Sequence, residues 1–360
     1  AMDWLIEILE AHDISATAPG AQDVQTIRDT PFQYKSYSIS HSFTDKEGKG
    51  VRATQVCAVL RVEAEKIGVQ FFFETPGVQL IRGDDNSSGS VKAVVAADKG
   101  GSYIRFNAAK AVILCAGDYA NNFEMREKYL PHLADLPSPY PVPVNTGDGD
   151  LMGMWIGAQM DRGPHCSNIH IDQYLDDTNL AFAGGTPWLR VNKNGERFSN
   201  EDVPYQQIYA QDLDQPGHMH YQIFDSTYAS CWGNFTQGSF RGTPMTAKLT
   251  ANAFRPTLEK MGIDVEGMSD YDICVRGGVE NGTIVEADTI EELAEKLGIP
   301  VGAFSQTVER YNEIVESGED TDFGKNAQCL FPISTPPFYG VPRQCTPLGV
   351  LCGLVVDTDM

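Results

Sequence analysis

The TGDG turn at residues 146–149 sets Thr146, Gly147, Asp148 and Gly149 directly ahead of a helical apolar pattern, Met152, Trp155, Ile156 and Met160. A helix N-terminus presents free N–H groups and the positive end of the helix dipole, so such a turn can cradle a phosphate or another anion. The same four residues also make an ordinary helix start with Asp148 as its cap, and the spacing alone leaves both readings open. A second suggestive unit is AKAVILCAGDYANN. An apolar run at 111–114 is followed by a turn at Gly117 and a helix start near Asn121 or Asn122. Strand, glycine turn and helix in that order form the local unit of a nucleotide-binding sheet. The chain has no GxGxxG followed by a distal acidic residue, the fingerprint that would settle a dinucleotide site.

The eight cysteines are Cys57, Cys115, Cys166, Cys231, Cys274, Cys329, Cys345 and Cys352. None forms a CxxC pair and none has zinc spacing with a histidine, so no metal site is expected. Cys115 in VILCAG and Cys352 in GVLCGL lie within apolar runs. The cysteines therefore read as buried free thiols, which favours a reducing compartment.

Several elements must position these groups. Residues 1–13 read as a helix with Trp4, Leu5, Ile8 and Leu9 on one face, and residues 52–66 as another, stopped by Gly68. The first helix has no basic n-region and is not expected to be a signal peptide. VQFFFET at 69–75 reads as a strand buried on both faces. Alternating segments punctuated by NSSG and GG then predict a hairpin-like unit up to about residue 107. From 165 to 345 the chain is richer in aromatics and amides, and it carries strong helices at 289–298 and 303–317. The first of these has Asp288 or Thr289 as N-cap and Glu292 in capping-box position. The last residues return to an apolar strand pattern.

A chain of 360 residues has length for two domains, and 42% hydrophobic with 21% charged residues fits a globular protein. A formal charge of −22 repels nucleic acid and anionic lipid. No run of 18 apolar residues is present to span a membrane.

Five segments, in order, carry a family resemblance: VILCAGDYANNFEMREKYLP, TGDGDLMGMWIGAQMD, VNKNGERFSNE, the helical stretch 287–325, and PPFYGV with CGLVVD. Together they resemble the FAD-dependent fumarate reductase, succinate dehydrogenase and ketosteroid dehydrogenase superfamily. The resemblance implies an α+β or α/β fold. It assigns 1–164 plus 346–360 to a partial Rossmann-like FAD-binding domain and 165–345 to an inserted clamp, or capping, domain. The N-terminal GxGxxG and the C-terminal flavin-closing segment of the family are not in this sequence. The implied cofactor is FAD, flanked by Val78, Ala116, Gly117, Thr146, Gly147, Asp148, Gly149 and Gly353. Asp118 and Cys352 stand where the family keeps glycine beside the cofactor.

Downstream of RFSNE, fumarate reductases place a proton-donating arginine where this chain has Tyr205. A proline–tyrosine there is similar to the ketosteroid dehydrogenases. A phenol suits a neutral ketone or enone, whereas arginine also grips a dicarboxylate. Tyr205 and Tyr339 are thus the candidate catalytic residues, with aromatic packing as the plainer role for Tyr339. His165, His170 and Gly349 are weaker candidates on the substrate side, the two histidines standing equal. Arg197 and Glu201 read as a structural ion pair. The implied activity is reduction or dehydrogenation of an activated C–C bond in a small neutral enone or ketosteroid-like molecule. Its electron donor or acceptor is left open. The rival readings are a reductase of a small unsaturated carboxylate and an inactive fragment or binding module.

Overall fold

The computed structural model describes residues 2–17, 25–26, 35–36, 42–48, 50–83, 88–136, 144–170, 186–203, 210–231 and 244–358. They divide into two compact units, residues 1–79 with 94–106 and residues 80–93 with 107–360.

In the first unit, α1 (Met2–Glu10) leads into β1 (Ile14–Thr17). The two-residue strands β2 (Gln25–Thr26) and β3 (Lys35–Ser36) pair with each other. Strand β4 (Ser42–Asp45) pairs antiparallel with β1, Ile14 opposite Asp45. Helix α2 (Ala53–Lys66) completes a small core of Leu9, Ile14 and Val56. It stops as the sequence predicts, with Gly68 at φ +91° and the N–H of Val69 donating to the carbonyl of Ala64.

Residues 69–75 correct the sequence reading: they form no strand, and Phe73 is 67% exposed. A continuous apolar run signals burial on both faces only where neighbouring strands exist to supply the ladder. Among the described residues none pairs with this run. Phe71 and Phe73 stack on one another at 6.1 Å instead, and Phe72 lies edge-on to Phe106 of the later strand at 4.7 Å. Strands β5 (Gly77–Arg82), β6 (Val91–Ala97) and β7 (Tyr103–Asn107) follow in chain order in one sheet, as the turn residues announce.

The second unit carries α3 (Phe123–Tyr129), α4 (Asp148–Trp155) and β8 (Ser167–His170). Next come β9 (Leu189–Val191), β10 (Met219–Asp225), α5 (Tyr228–Cys231), α6 (Pro244–Lys260) and α7 (Asp270–Glu280). It closes with β11 (Val285–Ala287), α8 (Ile290–Leu297), α9 (Val301–Ser317), β12 (Phe338–Gln344) and β13 (Thr346–Val350). Four strands make an antiparallel sheet in the order β11-β12-β10-β9. Period-two alternation along β10 sends Met219, Tyr221 and Ile223 to one face, where α8 and α9 cover them with Leu293, Leu297, Phe304 and Tyr311. Phe224 goes to the opposite face and stacks on Trp188 at 4.1 Å and Tyr339 at 5.2 Å, under α6 and α7.

A buried ion network ties this sheet to the end of α9. Arg197 makes paired bonds to Glu201 (2.9 and 2.8 Å) and to Asp320 (3.1 and 2.8 Å). Lys325 adds bonds to Glu201 (3.3 Å) and to the Tyr311 hydroxyl (2.8 Å). The charged side chains are no more than 6% exposed. Arg197 and Glu201 thus form the ion pair expected of them. The adjoining turn needs Gly195: at φ +77° it meets α9 so closely that a Cβ would stand 2.9 Å from the Phe304 nitrogen. Thr307 clasps the same turn by donating to the Gly195 carbonyl.

Burial alone would raise the Asp320 carboxyl, but the Arg197 bonds and the N–H groups of Lys325 and Phe323 bring it down to about 2. A depressed carboxylate stabilises the fold above its unfolded pKa and loses that contribution as pH falls through the folded one. Asp320→Asn is therefore expected to be less stable than wild type at neutral pH. The gap should close between pH about 4 and about 2. Urea titrations across that range check this, and a gap that stays constant contradicts it.

Candidate functional site

Residues 111–118 run into the site without regular secondary structure, and 111–114 do not form the buried strand the sequence predicts: Ile113 is 85% exposed. Here too, none of the described residues pairs with the apolar run. The turn and helix that follow do form. Asn122 caps α3, its Oδ1 accepting from the Met125 N–H at 3.0 Å. Its Nδ2 donates to the Thr146 carbonyl at 2.9 Å, and the Asn121 Nδ2 donates to that of Val144 at 2.6 Å. The N–H of Gly147 donates to the carbonyl of Asp118. The paired asparagines thus bind the TGDG turn to the glycine turn before α3.

Gly147, at φ +78°, is the N-cap residue of α4, and no side chain caps it. A Cβ at Gly147 would lie 2.8 Å from the Cβ of Tyr119, and one at Gly149 would lie 2.9 Å from that of Ala116. Asp148 does not cap the helix. It sits exposed in the first turn and accepts from the Thr146 hydroxyl at 2.7 Å.

Asp118 is a brace. Its Oδ1 accepts from the Ala120 N–H at 2.7 Å, and its Oδ2 accepts from the Val350 N–H at 3.0 Å. A Cβ on Gly349 would approach that second oxygen to 3.0 Å. The Asp118 carboxylate therefore holds β13 to the glycine turn, and the bare Gly349 makes room for it. Beside it, Asp150 is buried, and a Cβ on Gly353 would stand 3.4 Å from its Oδ1. Burial first, and then the Asp118 charge, raise the Asp150 carboxyl.

Behind α4 the Tyr119 hydroxyl meets His165 Nδ1 at 2.5 Å, and His165 Nε2 lies 3.0 Å from the Asp161 carbonyl. A carbonyl only accepts, so Nε2 carries the proton and Nδ1 receives the Tyr119 O–H. The ring also stacks on Tyr129 at 4.9 Å. Both His165 nitrogens are engaged, which leaves none for a substrate carboxylate. Burial pushes the Tyr119 phenol well above its ordinary value.

The expected site residues separate into groups. Ala116, Gly117, Thr146, Gly147, Asp148, Gly149, Gly349 and Gly353 converge around the start of α4 and β13. Val78 belongs to β5 in the first unit and is 37% exposed. The backbone of His170 pairs with Thr346 across β8 and β13. Tyr339 packs in the aromatic core, its phenol raised by burial and by Glu286, and this placement fits packing. Tyr205 lies outside the described residues. Tyr119 and Asp150 were not read from the sequence, because a tyrosine after a glycine turn and an acid in a helix's first turn are both common.

The cysteines are a further correction. All eight are thiols, but Cys57, Cys115 and Cys166 are exposed and Cys352 is half-buried. The apolar runs that carry Cys115 and Cys352 are not covered on both sides. Among the described residues no helix is long and apolar enough to cross a membrane, and no cluster has the makings of a metal site.

Residues 1–360 match the FAD binding domain family, and the chain belongs to it. Its relatives place it in the superfamily of fumarate reductases and ketosteroid dehydrogenases. It is 27% identical over 351 residues to a vinyl phenol reductase of Lactiplantibacillus plantarum, covering 94% of this chain and 67% of that protein. It is 29% identical over 329 residues to a 3-oxosteroid 1-dehydrogenase of Mycolicibacterium smegmatis, covering 83% and 52%. In structure it resembles the open conformation of a flavocytochrome c3 fumarate reductase, with TM-score 0.60 and 24% identity over 97% of this chain and 50% of that one. The chain thus spans between half and two thirds of these proteins.

The Asp118–Gly349 pairing can be tested directly. Asp118→Ala strips the acceptor from two backbone N–H groups and is expected to cost about 1–3 kcal/mol. Gly349→Ala alone should destabilise through the contact with Asp118, and in the Asp118→Gly background that cost should largely vanish. A double-mutant cycle by chemical denaturation reads the coupling. Additive effects contradict the pairing.

Proposed function

We propose that this chain is the greater part of a flavoenzyme that reduces or dehydrogenates an activated C–C bond in a neutral enone or ketosteroid-like substrate. Tyr205 carries this reading. It falls four residues after Glu201, where the resemblance gives carboxylate reductases an arginine. The Arg197 and Lys325 bonds hold Glu201 at the head of that segment. Of the three enzymes cited above, two are named for a vinyl phenol and a 3-oxosteroid, both uncharged, which supports a phenol here over a guanidinium, and the third is named for the dicarboxylate fumarate.

FAD fits the residues present. Exposed Ala116–Gly117 backbone and the uncapped start of α4 offer backbone groups to a ligand, while the buried Gly147 and Gly149 let the turn pack closely on Tyr119 and Ala116. Asp148 and Asp150 already offset the positive end of the α4 dipole. The turn therefore suits the hydroxyl-bearing or ring portion of the cofactor better than its phosphates. When bound, FAD supplies two-electron hydride chemistry.

The chain's own residues orient the cofactor and substrate and move a proton. As a donor in the reductive direction Tyr205 needs no activation. As a base it needs a neighbour to lower a phenol pKa of about 10. The segment 165–345 would act as a clamp inserted into 1–164 plus 346–360, and the antiparallel pairing of β8 with β13 at its base supports this division.

The test uses the full-length protein loaded with FAD. Enones, including 3-ketosteroids with a ring double bond conjugated to the ketone, should reoxidise the dithionite-reduced flavin. Tyr205→Phe should lower the rate by roughly 10²–10⁴ without changing the flavin absorbance spectrum. Preferential turnover of fumarate or acrylate, or an unaffected Tyr205→Phe enzyme, overturns the proposal.

A further inference from the structure

Cys166 and Cys352 bring their sulfurs to 3.8 Å across 186 residues of sequence. The backbone sets this approach from both sides. The N–H of Leu351 donates to the Cys166 carbonyl at 3.0 Å, that of Asp161 to Gly353 at 2.9 Å, and that of Val355 to Gln159 at 2.7 Å. Met160 bridges Leu354, and Ser167 stands opposite Val350 where β8 meets β13. Residues 351–355 therefore run antiparallel beside 159–166, bonded before and after the sulfurs. Cys166 is exposed, so a reagent in solution can reach the pair. A disulfide requires the sulfurs at about 2.05 Å, which leaves roughly 1.8 Å to close, within the reach of χ1 rotation on adjoining strands.

We propose that Cys166 and Cys352 form a modification site, a dithiol that closes reversibly to an intramolecular disulfide by exchange with a low-molecular-weight disulfide such as glutathione disulfide. One cysteine, as thiolate, attacks the small disulfide, which gives a mixed disulfide and releases one small thiol. The second cysteine loses its proton and attacks the protein sulfur of that mixed disulfide. The Cys166–Cys352 bond forms and the second small thiol leaves. Two protein thiols are oxidised and one small disulfide is reduced to two thiols, which take up the two protons that the cysteines lose. The bond pins the backbone immediately before Gly353, whose bare Cα faces Asp150 at the candidate site. The inference is independent of the substrate proposed above.

The test treats the 360-residue chain with glutathione disulfide, quenches with acid, alkylates the remaining thiols and maps unreduced peptides by mass spectrometry. The expected product is a peptide joining Cys166 to Cys352, formed at least about tenfold faster than any other cross-link because the partners are held together. Exposed Cys57 and Cys115 serve as internal references and should carry single adducts. Cys166→Ser should leave Cys352 trapped as a glutathione adduct, Cys352→Ser should do the same for Cys166, and dithiothreitol should reopen the wild-type bond. Thermal melts of both variants confirm that they fold. The proposal fails if wild-type Cys166 and Cys352 are recovered as separate adducts, stay free and are alkylated, or pair with other cysteines.

Discussion

The buried charges around Arg197 are the constraint on which the second unit depends. Two cations, Arg197 and Lys325, and two carboxylates, Glu201 and Asp320, are withdrawn from water together. Desolvating each of them is costly, and the cluster is tolerable only because every charge finds an opposite one within hydrogen-bonding distance. The planar guanidinium faces two carboxylates at once, a geometry that a lysine ammonium would not reproduce. By tying the turn at Gly195 to the far end of α9, the cluster fixes how the helical layer lies on the antiparallel sheet.

The candidate site is held differently. Short polar side chains, Asn121, Asn122 and Asp118, bond to backbone groups of segments far away in sequence. These side chains lose little rotamer freedom when fixed and compete well for backbone partners, so they suit a surface that must stay free of bulky groups. The hydrophobic cluster of Tyr119, Met125, Leu130 and Met160 lies behind this lattice and backs it.

What could be read from the sequence divides along the same line. Helices α8 and α9 were legible because local signals agree: Thr289 caps α8, the Glu292 carboxylate reaches back to the Asp288 N–H, and Gly298 and Gly318 end the two helices in left-handed conformation. The family and its cofactor followed from five ordered segments. Helices α6 and α7 were not read, since Pro256 lies inside one and Gly277 with Gly278 inside the other. Those residues break isolated helices, yet here the glycines admit Phe254 and Ile284 against the α7 backbone. The runs at 69–75 and 111–114 failed for the opposite reason: apolar composition states what a segment would bury, and not whether a partner is there to bury it. Asp118 looked like an intrusion because its use depends on Val350, 232 residues away.

The pairing of β8 with β13 has a consequence for what the chain tolerates. Its residues leave the base at His170 and return at Thr346, so everything between them is a single closed excursion. Closing a loop costs entropy only as the logarithm of its length, about 0.6 kcal/mol for each doubling. The strands at the base would scarcely register additions or deletions at the outer rim of that excursion. Lengthening or trimming there offers a route by which the excursion could be reshaped while its base keeps its geometry.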